Sequence, residues 1–341
     1  MQYATPSLVN PFLSPEYAIA AGAVRPESRI AVLSDGNTVV GYFPFEKRRF
    51  GVGVPLSGWL SACQGLIHAP GAEWDAGQLL RGCKLSAWKF DNLLRDQEPF
   101  SMYGASVVRQ PVIDLADGFD AYHQLISTRA HRFARELGRK KRKLIREAGD
   151  LRVDSDARDL DALRMLMDWK SEQYQRTREV DRFREPEIRT LLELLLSTRT
   201  SSLTGQLSVL YAGDKPVAIQ FGLRADSMLV GWFTGYNPQF GKYSPGSIHV
   251  MEMAQDLAKN GVRTIHMGAG ARKYAETLKS YDLLAARGTV TKRSWLGAAH
   301  RYQAAWATEA LNIVRRHPCL HDVADRILRH TGVARLTYGR L

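Results

Sequence analysis

The chain has 341 residues, of which 45% are hydrophobic and 24% charged, a globular balance that excludes a low-complexity disordered protein. Its 47 Lys and Arg against 35 Asp and Glu leave a net charge of +12, which favours a polyanionic ligand, nucleic acid or an anionic membrane surface without choosing among them. Cys63, Cys83 and Cys319 offer neither a zinc spacing nor a CxxC pair, and an odd count with no secretory signal points to reducing cytosol.

The length suggests two domains plus an appendage. The N-terminal MQYATPSLVNPF lacks an export pattern, and no run approaches the ~18 apolar residues of a spanning helix. The expected location is therefore cytoplasmic, with at most a peripheral contact at the inner face of the membrane.

Residues 1–118 read as a compact α+β unit. Arg29 to Leu33 is a strand, Asp35-Gly36-Asn37 supplies a turn that tolerates positive φ, and Thr38 to Phe45 returns as the second strand of a hairpin. A glycine-rich loop follows from Gly51 to Gly58, then Gln64 to Ile67, a short helix near Asp75 to Arg81, and an alternating strand from Leu85 to Leu93. The order of hairpin, glycine loop, helix and strand recurs later, which suggests a duplicated architecture without a residue-level repeat.

Residues 119–150 read as a basic linker helix. Arg132, Arg135, Arg139, Arg142 and Arg146 recur at intervals of three and four and form one stripe, with Phe133, Leu137 and Leu144 on another side. Such a stripe fits either a solvated face or a phosphate-binding wall, in which Arg139 and Arg142 would meet substrate. Phe133 alone interrupts it, so a base-stacking surface is poorly supported, and nucleic acid is not an expected partner.

Residues 151–292 carry the sharper pattern. Leu151 to Asp154 is a strand, and Asp156 to Arg176 and Pro186 to Thr198 are helices. Three antiparallel strands follow: Gln206 to Tyr211, Val217 to Arg224 and Met228 to Gly235. A loop through Asn237-Pro238 and Pro245-Gly246 feeds a helix from Ser247 to Lys259, and a short strand ends at His266. Ala271 to Ser280 is helical and Ala285 to Thr291 closes the unit. The loop before Ser247 is a ready anion site, because first-turn amides lack intrahelical partners and the helix dipole adds positive potential. Trp232 and Phe233 are expected in the core. The histidines show no ligand spacing, so no metal is expected. No GxSxG, P-loop or dinucleotide fingerprint occurs.

Residues 293–341 read as two or three basic helices split by Pro318, with Trp295 and Trp306 on them. They fit packing against the body, or a face lying on an anionic bilayer.

The order of elements in 151–292 is similar to the GNAT (acyl-CoA N-acyltransferase) fold. Gly235-Tyr236-Asn237-Pro238, then Tyr243-Ser244-Pro245-Gly246, then Gly268-x-Gly270 with Tyr274 and Leu278-Lys279-Ser280 resemble the CelD-like branch of GNAT acetyltransferases, linked to cellulose and exopolysaccharide biosynthesis. Pro55-Leu56-Ser57, Gln64-Gly65-Leu66-Ile67 and the arginine-rich linker also look like that family, and the likeness spans roughly residues 25 to 290. Three positions depart from it: His266 stands where an acidic residue is usual, Ala275 where a Lys is usual, and Ala62 where an Asp is usual.

The resemblance implies tandem GNAT-like domains with mixed, mostly antiparallel sheets flanked by helices, and a C-terminal helical extension. It implies direct acyl transfer from an acyl-CoA or acyl-carrier-protein thioester to an amine or hydroxyl of a sugar or related small molecule, with no permanently bound cofactor. His266 would then be the base and Tyr274 the acid. Tyr243, Ser244, Gly246, Ser247, Gly268, Gly270 and Lys279 would hold the carrier, and Tyr236 and Asn237 the acceptor. Alternatives are a Fem-type tRNA-dependent aminoacyl transferase, and a GNAT-fold module that binds without turnover.

Overall fold

The computed structural model describes residues 8–268 and 273–291. Gly270 and the helical tail expected over 293–341 lie outside them. No helix among the described residues is long and apolar enough to cross a membrane.

The chain opens with α1 (Pro15–Val24), unforeseen in the sequence. Ser14 caps it by accepting from the Tyr17 amide at 3.2 Å, and Pro15 takes the first helical position, where a missing N–H costs nothing. The expected hairpin forms as β1 (Ser28–Asp35) and β2 (Thr38–Lys47). The glycine-rich loop contains β3 (Val52–Val54), followed by β4 (Ile67–His68), α2 (Ala76–Gly82), β5 (Ala87–Leu94), α3 (Glu98–Ser101) and β6 (Gly104–Asp114).

The basic linker is two helices rather than one. α4 (Gly118–Arg129) and α5 (His131–Ala148) break at Ala130, whose φ of −129° and ψ of 47° are not helical. Beside the break, Arg129 donates to the carbonyls of Thr277, Lys279 and Ser280, tying α4 to a distant turn. Along α5 the five stripe arginines are exposed, while Leu144 is fully buried with Leu137 beside it.

The second half runs β7 (Leu151–Ala157), α6 (Leu160–Thr177), α7 (Pro186–Ser197), β8 (Thr204–Ala212), β9 (Lys215–Ala225), β10 (Met228–Tyr236), α8 (Pro245–Lys259), β11 (Thr264–His266), α9 (Lys273–Leu278) and β12 (Tyr281–Thr291). Asp159 caps α6 by accepting from the amides of Asp161 and Ala162 at 2.9 and 3.0 Å. Replacing Asp159 with Ala strands those donors and should lower stability by about 1 kcal/mol in urea unfolding.

Among the described residues all strands join one twelve-stranded sheet in the order β1-β2-β3-β5-β12-β6-β11-β10-β9-β8-β7, with β4 on β2. The duplication is legible in its polarity. In each half an antiparallel run meets one parallel junction, β3 with β5 and β10 with β11. The closing strands are exchanged: β6, from the first half, pairs with β11, and β12, from the second, pairs with β5. β6 and β12 also pair with each other at the centre of the sheet. β12, the closing strand of the unit expected over 151–292, thus pairs with β5 and β6 from residues 1–118. The architecture is α+β and GNAT-like, a mixed and mostly antiparallel sheet flanked by helices.

Trp232 and Phe233 pack as expected, Trp232 edge-on to Phe12 at 5.0 Å and Phe233 against Phe183 at 5.0 Å. Leu163, Leu166 and Leu192 complete that layer on one side of the sheet. On the other, Val250, Met253 and Leu257 of α8 cover Leu229 and Ile265.

Candidate active site

The parallel pairing of β10 with β11 lasts three residues, from Met228 opposite Thr264 to Val230 opposite His266. β10 then bulges between Gly231 and Phe233 and β11 ends, so the two strands part. The gap holds a cavity of about 90 Å³, lined by Gln220 and Thr234 from the sheet, Val250 and Met253 from α8, Met267 and Gly268 after β11, and Tyr274 of α9. That volume is well below the ~300 Å³ of a pocket enclosing a whole small ligand, so it suits the reacting end of a longer one. Gly268 has a φ of +78°, and a Cβ there would stand 3.1 Å from the Gly231 carbonyl oxygen. Backbone conformation and lack of space both require glycine at that position.

α8 borders this gap through Val250 and Met253, a turn or more beyond its start. Pro245 at its first position has no N–H, and the amides of Ser247 and Ile248 donate to the Ser244 carbonyl at 3.1 and 3.2 Å. Ser244 is left-handed (φ 57°) and gives α8 no side-chain cap. Its Oγ instead accepts from Lys140 Nζ at 2.9 Å. The Gly246 amide is thus the first-turn donor left for a ligand, and the space where its Cβ would stand is empty to 4 Å. A lysine ammonium beside the positive end of a helix dipole is unfavourable until an anion joins them. Glu136 offsets it in part from 3.9 Å, but that carboxylate also pairs with Arg139 at 2.7 Å.

The equivalent places in the first half are filled. The α2 N-terminus is capped by Asp75, which accepts from the Gln78 amide at 2.7 Å, so a carboxylate of the chain occupies the anion position. At the β3–β5 junction a Cβ on Gly53 would meet Leu85 at 2.6 Å and Trp88 at 3.2 Å. Trp88 in turn packs on Phe43 and Phe100.

The residues expected to form the site separate into groups. Gly268 and Tyr274 line the cavity, and Ser244, Gly246 and Ser247 lie at the α8 mouth. Tyr243 is 4% exposed and belongs to the core under α5. Its phenol donates to Glu147, and that bond is the largest cause holding the Glu147 carboxyl below its usual range. Lys279 is held by Glu276 and by Asp282 at 2.8 Å, so its charge is matched within the chain rather than offered to a carrier. Asn237 caps the following turn by accepting from the Gln239 amide at 3.0 Å, while Tyr236 is partly exposed at the end of β10. Arg139 is bonded to Glu136 through two nitrogens. Arg142 is exposed on the solvent side of α5.

His266 departs most from its expected role. It is 6% exposed and is not part of the cavity lining, and burial pushes its pKa down to about 4. An imidazole so placed is neutral and a weaker base than an exposed one. His249 on α8 is fully buried, its Nε2 2.8 Å from Ser208 Oγ, and burial lowers its pKa to about 3. Both values lie below the unfolded value near 6.5, so the unfolded chain takes up protons first as pH falls. Their contribution is complete above pH 6.5 and is lost progressively on the way down to about 4 and 3. Between pH 6.5 and 5.5 unfolding free energy should drop by about 1 kcal/mol per histidine. His249→Gln should remove its share of that slope in urea melts at the two pH values.

Lys140 and Gln220 are the site residues that periodicity did not single out. Lys140 lies on the flank of the arginine stripe, and Gln220 is one polar letter in VAIQFGLRA, a strand buried on both faces. A glutamine inside such a strand is the signal that was available.

Residues 131–276 match the family model described as an acetyltransferase (GNAT) domain. No curated protein matches the chain. Among solved structures, it is similar to the C-terminal domain of a protein described as a lysylphosphatidylglycerol synthetase from Agrobacterium fabrum, with 12% identity and a TM-score of 0.54 over 85% of this chain and 91% of that one. FemX is similar at 9% identity and a TM-score of 0.54, over 81% and 90% of the two chains. A conserved protein of unknown function from Bacteroides thetaiotaomicron has 9% identity and a TM-score of 0.50, over 82% and 90%. At such identities the likeness concerns the fold.

Proposed function

We propose that this GNAT-domain transferase moves an acyl group from a CoA or acyl-carrier-protein thioester to an amine or hydroxyl of a sugar or polysaccharide precursor. The observation that carries the reading is the uncapped mouth of α8, where Lys140 bonds Ser244 two residues before Gly246, on the helix that also borders the gap between β10 and β11. Carrier phosphates would sit there, with Ser244 and Ser247 around them. The pantetheine arm would run past Gly231 and Gly268 and deliver the thioester to the cavity at Tyr274. The first half, with Asp75 on its helix and Trp88 in its junction, would shape the acceptor side instead.

Direct attack needs a route for the nucleophile's proton. In the tetrahedral adduct the attacking nitrogen carries a surplus proton and the departing sulfur needs one. A phenol both donates and accepts, so Tyr274 can give its proton to sulfur and recover one from nitrogen. This scheme leaves His266 as a buried neutral group. The test is thermal-shift stabilisation across a panel of CoA thioesters, with release of free thiol from the best of them. A ligand that binds only the native state raises apparent stability according to its affinity, so a panel with no shift would overturn the reading.

A second reading takes an aminoacyl ester of tRNA as donor. The five exposed arginines of α5 favour it, since a basic helix face can track phosphates. Tight tRNA binding that weakens steeply with salt, with no CoA-dependent stabilisation, would select it.

A further inference from the structure

We propose that the side-chain amide of Gln220 donates the hydrogen bond that receives the thioester carbonyl oxygen of the acyl donor. The inference rests on the acyl-thioester reading above and assigns the group that would stabilise its transition state.

Gln220 lies on β9 with Ser208 and Thr234 as its cross-strand partners, so the three form one polar row across the sheet. The row runs beneath α8, whose facing residues Val250 and Met253 are apolar. Its other members are met: Ser208 bonds His249 at 2.8 Å, and Thr234 Oγ1 donates to Gln220 Oε1 at 3.3 Å. That bond sets the amide's orientation and leaves Nε2 directed elsewhere. Among the described residues Nε2 has no hydrogen-bond acceptor, although Gln220 is only 6% exposed and lines the cavity. A donor that opens onto a cavity and that the chain leaves without a partner is suited to a ligand that brings the acceptor.

Its position fits the reaction. A Cβ on Gly231 would stand 2.9 Å from Gln220 Nε2, so the amide lies over the residue where β10 and β11 part. Glycine at 231 makes the room that the amide occupies. As an acceptor amine attacks the carbonyl carbon, the C–N bond forms and the carbonyl π pair moves onto oxygen. A preorganised N–H pointed at that oxygen gains strength as the charge develops. Collapse restores the carbonyl and breaks the C–S bond, and the sulfur takes the proton that nitrogen loses through Tyr274.

The test reads the carbonyl itself, using acetyl-CoA labelled with carbon-13 at the carbonyl and bound to the full chain. Isotope-edited infrared spectra of the wild type should show the thioester stretch at lower frequency than in free acetyl-CoA. Gln220→Leu should return it to the free value, lower thiol release with glucosamine as the amine probe by about 100-fold, and leave affinity for CoA without an acyl group within about twofold. Gln220→Met serves if the leucine variant does not fold. Gly231→Ala, which displaces the amide without altering Gln220, should also abolish the shift. A wild-type complex whose stretch is unshifted, or a shift that survives in Gln220→Leu or Gln220→Met, overturns this assignment alone. Failure of the wild type to bind acetyl-CoA overturns the donor reading and this assignment with it.

Discussion

Replacing Gly246 with Asp is expected to weaken acetyl-CoA binding by about 100-fold while leaving the protein at least as stable as before. The two effects have opposite signs because they act on the same dipole. A carboxylate in the first turn of α8 interacts favourably with the positive end of the helix, by about 0.5 kcal/mol. Exchanging glycine for a residue of better helix propensity adds a few tenths more. No steric cost opposes these gains, since nothing lies within 4 Å of where the new Cβ would be. For a phosphate, however, the variant supplies a like charge in front of the Gly246 amide and beside Lys140. Losing about 3 kcal/mol there corresponds to about two decades in dissociation constant. Calorimetric titration with acetyl-CoA and a melting curve of the free protein measure the two effects separately. Gly246→Ala is the control, with retained binding and a small gain in stability. An aspartate variant that binds acetyl-CoA as well as the wild type would remove the α8 mouth from the site.

The contrast with α2 shows why this end of the chain is the one to test. Both helices follow the antiparallel run of their half, but Asp75 already does to α2 what the substitution would do to α8. Asp75 was legible as a helix start in the sequence. Its consequence for ligand binding was not, because it depends on recognising α2 and α8 as counterparts, and the strand exchange hides that correspondence.

Local patterns located most of the elements. The hairpin β1–β2 and the strands β8 to β10 announce themselves by turn residues and alternation, and α8 by its position after the Pro-Gly loop, although it starts at Pro245 rather than at the expected Ser247. β6 did not. It carries Pro111, and proline inside a run argues against a central strand. The structure resolves the conflict by geometry. Pairing with β11 covers Val112 to Asp114 only, and beyond it the Pro111 carbonyl accepts from the Met267 amide at 2.8 Å. Proline therefore stands where the ladder to β11 ends and no N–H is demanded.

The site was legible in part for a similar reason. The motif residues Ser244, Gly246 and Gly268 are backbone features, and a loop with glycine or a left-handed residue leaves a mark in sequence. Lys140 and Gln220 act through side chains placed by packing between distant segments, 104 residues apart for Lys140 and Ser244. His266 had the right residue type in the right strand, but burial, which the sequence does not display, takes it out of reach of the cavity.

Tyr274→Phe is expected to lower thiol release from acetyl-CoA by about 100-fold, with glucosamine as the amine probe, and to leave the affinity for CoA unchanged. The substitution removes one oxygen and keeps the ring, which packs in part against the cluster holding Leu278 and Val250. Stability should stay close to that of the wild type, within about 1 kcal/mol. The loss then isolates proton transfer, for which a positioned acid typically contributes 100-fold or more. Because the phosphates would bind at the α8 mouth, KM for acetyl-CoA should change little while kcat carries the effect, the pattern of an interaction made only in the transition state. Tyr274→Leu provides the complementary measurement. It loses the ring as well, so it should lose stability in addition to turnover. If the phenylalanine variant turns over at the wild-type rate and only the leucine variant fails, Tyr274 is a packing residue and the proton travels by another path.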